Sequence, residues 1–93
     1  MMTYRNQLQI MADTLESVKF SGREGVRTTA LISKTNISHS RLKPLCDKLI
    51  GSGLINEIRF DGHNAYVITE KGVMYLDEYK KFSDLASSFG LEL

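Results

Sequence analysis

Asn36-Ile37-Ser38 lies between two short amphipathic stretches, and that arrangement leaves the chain around it few options. Ser38 is a good helix cap, because its side-chain oxygen can take an otherwise unpaired backbone N–H at a helix start. Behind it Leu42, Leu45, Cys46, Leu49 and Ile50 recur at helical spacing and form one apolar stripe. The opposite side carries His39, Ser40, Arg41, Lys43, Pro44, Asp47 and Lys48. Ahead of the corner, Thr28 or Thr29 can cap a brief helix over about Thr29 to Thr35, with Leu31 and Ile32 turned inward. An aliphatic residue buried in a short turn, with a cap immediately after it, locks two helices at a steep angle. Ile37 is expected to plug that corner.

Pro44 is the sixth helical residue counted from Ser38. It deletes the hydrogen bond to the Ser40 carbonyl and crowds that turn, at a usual cost of about 3 kcal/mol in a helix interior. Either the helix kinks there, or it begins near Pro44 with residues 38–42 as a separate turn. The Ile37/Ser38/Leu42 spacing favours the kink.

The rest of the chain supplies the surroundings. Thr3 can cap a first helix from about Tyr4 to Val18, with Leu8, Met11, Leu15 and Val18 on one face. Gly22 and Gly25 bracket a turn, and Val26-Arg27-Thr28 is a candidate short strand. Gly51 and Gly53 end the helix after Ser38, with Gly53 suited to a left-handed residue just past its end. Residues 54–60 alternate as a strand, Asp61-Gly62-His63-Asn64 supplies a tight reversal, and Ala65-Tyr66-Val67-Ile68 returns. Such a hairpin must pack on the helices. Thr69 can cap a last helix reaching about Ser88, in which Gly72 implies a close approach to the hairpin backbone. Helix, short strand, two helices, two strands and a helix is the order of a winged helix. The expected class is α+β, mainly helical: a winged helix-turn-helix with an extended C-terminal helix.

Charge is unevenly spread within a net +1. Between Lys19 and Lys48 seven basic residues face two acidic ones, a balance of +5, while residues 1–18 hold −1 and residues 49–93 hold −3. A basic middle flanked by acidic ends suggests one surface that meets a polyanion. One cysteine, Cys46, excludes an internal disulfide framework and fits a small buried hydrophobe. There is no paired-carboxylate or nucleophile–base motif and no glycine-rich phosphate loop. His39 and Cys46 are seven residues apart, about 10 Å along a helix axis and too far for one metal. Catalysis, metals and cofactors are therefore not expected. No apolar run approaches the ~20 residues of a membrane span, so a cytoplasmic protein without a membrane or small-molecule ligand is expected.

The run from Thr29 to Ser38, then Leu42, then Leu49-Ile50-Gly51-Ser52-Gly53-Leu54-Ile55, resembles the archaeal small winged helix-turn-helix proteins. The segment Tyr66-Val67-Ile68-Thr69-Glu70-Lys71-Gly72 resembles their third strand passing into the last helix. Pro44 departs from the usual pattern. The resemblance implies binding of double-stranded DNA, a role as transcription regulator or chromatin-associated protein, and, in several members, dimerisation through an extended C-terminal helix as an antiparallel coiled coil.

The residues themselves suggest where such contacts would fall. Ser38, His39, Ser40, Arg41 and Lys43 sit where a helix could meet base edges and phosphates. Arg27, Thr28 and Lys34 are placed for the nucleic-acid backbone, and Arg59, His63 and Asn64 for contacts from the hairpin tip. Tyr75, Tyr79, Phe82, Ala86, Phe89 and Leu93 repeat every 3.5 residues, which predicts a homodimer seam. On this reading residues 1–72 are the DNA-binding part and residues 73–93 a dimerisation helix of the same structural unit. The rival reading is a winged helix used as a protein-interaction module in a larger assembly.

Overall fold

The computed structural model describes residues 7–91, and the expected roles of Thr3, Tyr4 and Leu93 lie outside them. Four helices and one hairpin follow in the order α1 (Gln7–Phe20), α2 (Thr28–Thr35), α3 (His39–Gly51), β1 (Ile55–Phe60), β2 (His63–Ile68) and α4 (Glu70–Ser88), with a 3-10 turn at Gly22–Glu24. Their apolar faces meet in one core, with Leu15, Leu31, Leu42, Leu49, Ile55 and Leu76 completely buried.

The buried face of α1 is rotated from the expected one. Leu15 and Val18 are in the core, Met11 is half-buried, and Leu8 is exposed. Ile10, Ala12 and Thr14 take the remaining inward positions. Thr14 can lie there because its hydroxyl donates to the Ile10 carbonyl at 2.8 Å, which leaves no buried polar atom unpaired. Thr35 does the same in α2, donating to the Leu31 carbonyl at 2.7 Å.

The corner between α2 and α3 forms as the spacing implies. Asn36 adopts a left-handed conformation, φ 57 and ψ 40, and its N–H closes α2 on the Ile32 carbonyl at 2.9 Å. Ile37 is buried in the angle. Ser38 is the extended residue before α3, and its carbonyl accepts from the N–H groups of Arg41 and Leu42. Its side chain makes no cap, however: the hydroxyl lies 3.2 Å from that of Ser40. Neither Thr28 nor Thr29 caps α2. Arg27 holds that position without a side-chain bond, and Thr28 is the first helical residue.

α3 is one continuous helix through Pro44, which rules out a start at the proline. Pro44 is exposed, so its ring faces solvent and the Ser40 carbonyl that it leaves unpaired can be hydrated. Pro44→Ala is expected to restore that bond and raise stability by about 1–3 kcal/mol, read as a higher urea midpoint at unchanged slope. At its far end α3 closes with two bonds, Gly53 N–H to the Ile50 carbonyl and Leu54 N–H to the Leu49 carbonyl, each 3.0 Å. Gly53 has φ +78, the left-handed residue that this termination requires.

The hairpin pairs Ile55 with Ile68 and continues in register to Phe60 with His63. Only Asp61 and Gly62 lie between the strands, at φ 52 and φ 79, as a two-residue turn of the primed type demands. His63 and Asn64, expected in the reversal, belong to β2. The candidate strand at Val26 is reduced to one bridge, in which Val26 and Tyr66 exchange two N–H to carbonyl bonds of 2.9 Å. Thr69 caps α4 as expected, accepting from Gly72 N–H at 2.9 Å, and its hydroxyl also lies against the carbonyls of Gly53 and Leu54.

Candidate nucleic-acid interface

Register and burial fix what each face of the hairpin looks at. Side chains of directly paired residues point the same way, so Ile55/Ile68, Glu57/Tyr66 and Arg59/Asn64 share one face. Ile55 and Tyr66 are buried there, and the Tyr66 hydroxyl acts on Cys46 and Lys43 of α3. That face therefore looks towards α3, and Arg59 and Asn64 extend it towards the tip. The other face carries Asn56/Val67, Ile58/Ala65 and Phe60/His63. The turn at Gly22–Glu24 crosses it: a Cβ on Gly25 would meet the Tyr66 carbonyl, Ala65 and Val67. His63 thus stands on the opposite side of the hairpin from Arg59 and Asn64, although the sequence grouped all three.

On α3 the residues His39, Ser40, Arg41 and Lys43 are all exposed, as is Ser38 before it. They do not form one cluster. Arg41 and Lys48 line a groove with Gln7, Pro44 and Leu45, on the side towards α1. Lys43 lies on the side towards the hairpin, where its Nζ donates to Asp47 Oδ1 at 2.9 Å. The Asp47 carboxylate holds the Lys43 ammonium above its ordinary pKa, with smaller contributions from Tyr66 and Glu57. Lys43 is therefore exposed and cationic but flanked by two carboxylates. Lys48 is not among the contacts expected from the sequence, yet its heptad spacing from Arg41 puts the two cations on one side.

The preceding segment contributes Arg27, exposed, and Thr28, half-buried beside Tyr66. Lys34 is exposed at the end of α2 and shares a groove with Glu16, Ser17 and Phe20 of α1, away from the groove that Arg41 lines.

Cys46 is completely buried behind this face. Burial pushes its thiol from 9.0 up to about 11, and nearby Lys43 offsets only part of that. The thiolate is the disfavoured form in the fold, so the group stabilises the protein below pH 9 and loses that contribution as pH rises towards 11. Iodoacetamide at pH 8 is expected to alkylate native Cys46 at least ~100-fold more slowly than the urea-unfolded chain. Equal rates would place the thiol outside the core. Among the described residues no three His, Cys, Asp or Glu side chains are grouped to hold a metal, and no helix is long and apolar enough to cross a membrane.

The last helix divides along its length. Gly72 and Leu76 are buried and Tyr75 and Tyr79 are half-buried against the core. Ala86, expected on the 3.5-residue seam, is buried within its own chain. Phe82 and Phe89 are 54% and 73% exposed, and Leu85, which the sequence pattern passed over, is 56% exposed. Gly90 at φ 75 ends the helix, with Leu91 N–H returning to the Ala86 carbonyl at 2.8 Å.

A helix-turn-helix whose second helix is open to solvent, with a two-stranded wing beside it and a fourth helix closing the core, defines a winged-helix protein. The chain belongs to the winged helix-turn-helix family, whose model matches residues 4–87. It is similar in structure to Sso10a-2, described as a DNA-binding protein from Sulfolobus solfataricus, at 22% identity and a TM-score of 0.77, covering 91% of this chain and 85% of that one. It is also similar to SSV1 F-93, at 23% identity and a TM-score of 0.63, covering 86% of this chain and 91% of the other. No curated protein matches the sequence.

Proposed function

We propose that the protein binds double-stranded DNA as a homodimer, in the role of a transcription regulator or chromatin-associated protein. The observation that carries this reading is the open outward face of α3, with Arg41 and Lys48 on one flank and Lys43 on the other. A helix of this width enters the major groove, and cations on its flanks meet the phosphates on either side. Arg59 and Asn64 lie on the α3 side of the wing and reach the adjacent minor groove or backbone. Arg27 and Thr28 contact the phosphates near the start of α2, and Ser38, His39 and Ser40 approach from the start of α3. Lys34, on another side of the molecule, contributes through the general field, and His63 lies on the far face of the wing. The DNA-binding Sso10a-2 shares the fold and supports the same reading.

The dimer forms through the distal half of α4. Phe82, Leu85 and Phe89 follow one another at +3 and +4, a coiled-coil spacing left uncovered by the chain's own core. Tyr75 and Tyr79 border it, and residues 73–93 serve assembly while residues 1–72 form the binding part. Replacing Phe82 and Phe89 together by Ser is expected to halve the mass measured by sedimentation equilibrium and to weaken DNA binding at least ~10-fold, through loss of the second face. A wild-type mass of one chain contradicts the dimer.

Glu57 and Asp47 beside Lys43 favour a second reading, a module that docks on a protein partner. Salt separates the two. Duplex affinity, measured by fluorescence anisotropy, is expected to fall steeply between ~50 and 200 mM salt as phosphate counterions are released. Absent or salt-independent duplex binding leaves the protein-interaction reading.

A further inference from the structure

The part of α3 that projects furthest from the core carries no cation. Its buried stripe is Leu42, Leu45, Cys46 and Leu49. At 100° per residue the direction opposite that stripe belongs to Ser40, Pro44 and Asp47, all of them exposed. The cations stand to either side of this crest, as described above. Ser40 is paired with Ser38, and Pro44 presents an apolar ring without a donor. Asp47 is the charged group on the crest, and its carboxylate is steadied by Lys43 through Oδ1. One such bond leaves most of the acceptor capacity of a carboxylate unused.

We propose that Asp47 determines sequence preference: it accepts a hydrogen bond from the exocyclic amino group of a cytosine in the major groove. This rests on the DNA-binding reading given above. A carboxylate only accepts, so guanine N7 and O6 and thymine O4 repel it, and cytosine and adenine alone offer donors in that groove. At adenine the donor sits beside the N7 acceptor, whose lone pair opposes a carboxylate. Cytosine offers its amino group beside a C–H. Lys43 fixes the side chain and stays close enough to meet the neighbouring phosphate.

Asp47 also sets a cost. Wherever no amino group faces it, an unpaired negative charge is pressed towards a polyanion, and Glu57 adds to that field on the hairpin side. The flanking cations supply affinity that ignores sequence, and the crest withholds part of it from most sequences. The protein is accordingly a selective binder and not a uniform coat on DNA.

The test is selection from a randomised duplex pool by the wild-type protein, D47A and D47N, followed by titration of the selected duplex and of a mixed-sequence duplex. The wild type is expected to enrich a site with a fixed cytosine. D47A loses about tenfold of discrimination at that position and binds the mixed duplex about three- to tenfold more tightly. D47N moves the preference to adenine, which an amide can bond twice. In D47A/K43A the preference stays lost while the gain on mixed sequence disappears, which separates the role of Asp47 from release of Lys43. Salt-sensitive wild-type binding without a fixed cytosine, or an unchanged preference in D47A of normal helicity, overturns the role of Asp47 alone. Absence of wild-type duplex binding overturns the DNA reading and this inference with it.

Discussion

Replacing Gly72 by alanine is expected to destabilise the protein by about 3 kcal/mol or more, lowering the melting temperature by roughly 12–24 °C. The position lies in the first turn of α4, where alanine would ordinarily be the better helix former by about 1 kcal/mol. Here an added Cβ would fall on the Leu54 carbonyl oxygen and crowd Ile68 Cγ1 at 2.7 Å. That oxygen cannot simply retreat. It accepts from Thr69 N–H at 3.1 Å and faces the Thr69 hydroxyl at 3.0 Å, so moving it loosens the joint between the end of α3, the hairpin and α4. Gly51→Ala is the control, since a Cβ there meets nothing within 4 Å. It is expected to be neutral or stabilising by up to about 1 kcal/mol. Thermal unfolding followed by circular dichroism measures both, and equal melting temperatures would contradict the close approach.

Replacing Arg41 and Lys43 together by alanine is expected to weaken duplex binding about 10- to 100-fold at ~100 mM salt and to reduce the salt slope by about two. The two residues lie on opposite flanks of α3, so the double variant removes a cation from each side of the groove. Arg41→Ala alone is expected to cost more than Lys43→Ala, because Asp47 and Glu57 already offset part of the Lys43 charge. Both side chains are exposed, so the melting temperature is expected to stay within a few degrees of wild type. Anisotropy titrations over a salt series read affinity and slope together. An unchanged slope would mean that phosphates meet another face.

Much of this architecture is legible in the sequence because local signals agree with one another. Ile37 between Asn36 and Ser38 specifies the corner, Asp61-Gly62 the hairpin turn, Gly53 the end of α3, and Thr69 with Gly72 the joint to α4. Three hydroxyl-bearing residues depart from the expected pattern. Thr14 is buried because its hydroxyl bonds within its own helix, and an apolar-stripe argument excludes it in advance. Ser38 and Thr28 have the right composition for caps, but the Ser38 hydroxyl lies against that of its near neighbour Ser40, and Thr28 falls one residue inside α2, where Arg27 holds the cap position. At the site, spacing identified the exposed face of α3 but not which side of it each cation takes. That depends on where α1 and the hairpin lie. His63 and Asn64 are adjacent in sequence and consequently on opposite faces of β2, which only the register reveals. Along α4 the 3.5-residue repeat does not say which of its members the chain covers itself: Ala86 is buried, whereas Phe82 and Phe89 are left exposed.

On the proposed reading, duplex DNA is met by the crest and flanks of α3 together with the inner face of the wing. Amide chemical-shift mapping of the full chain during titration with a mixed-sequence duplex is the decisive measurement. Perturbations are expected at Ser40, Arg41, Lys43, Asp47 and Lys48, at Arg59 and Asn64, and at Arg27 and Thr28, with Ile58, Val67 and residues 82–89 of α4 unmoved. Perturbations centred on the rear of the hairpin or on α4, with α3 silent, would contradict it.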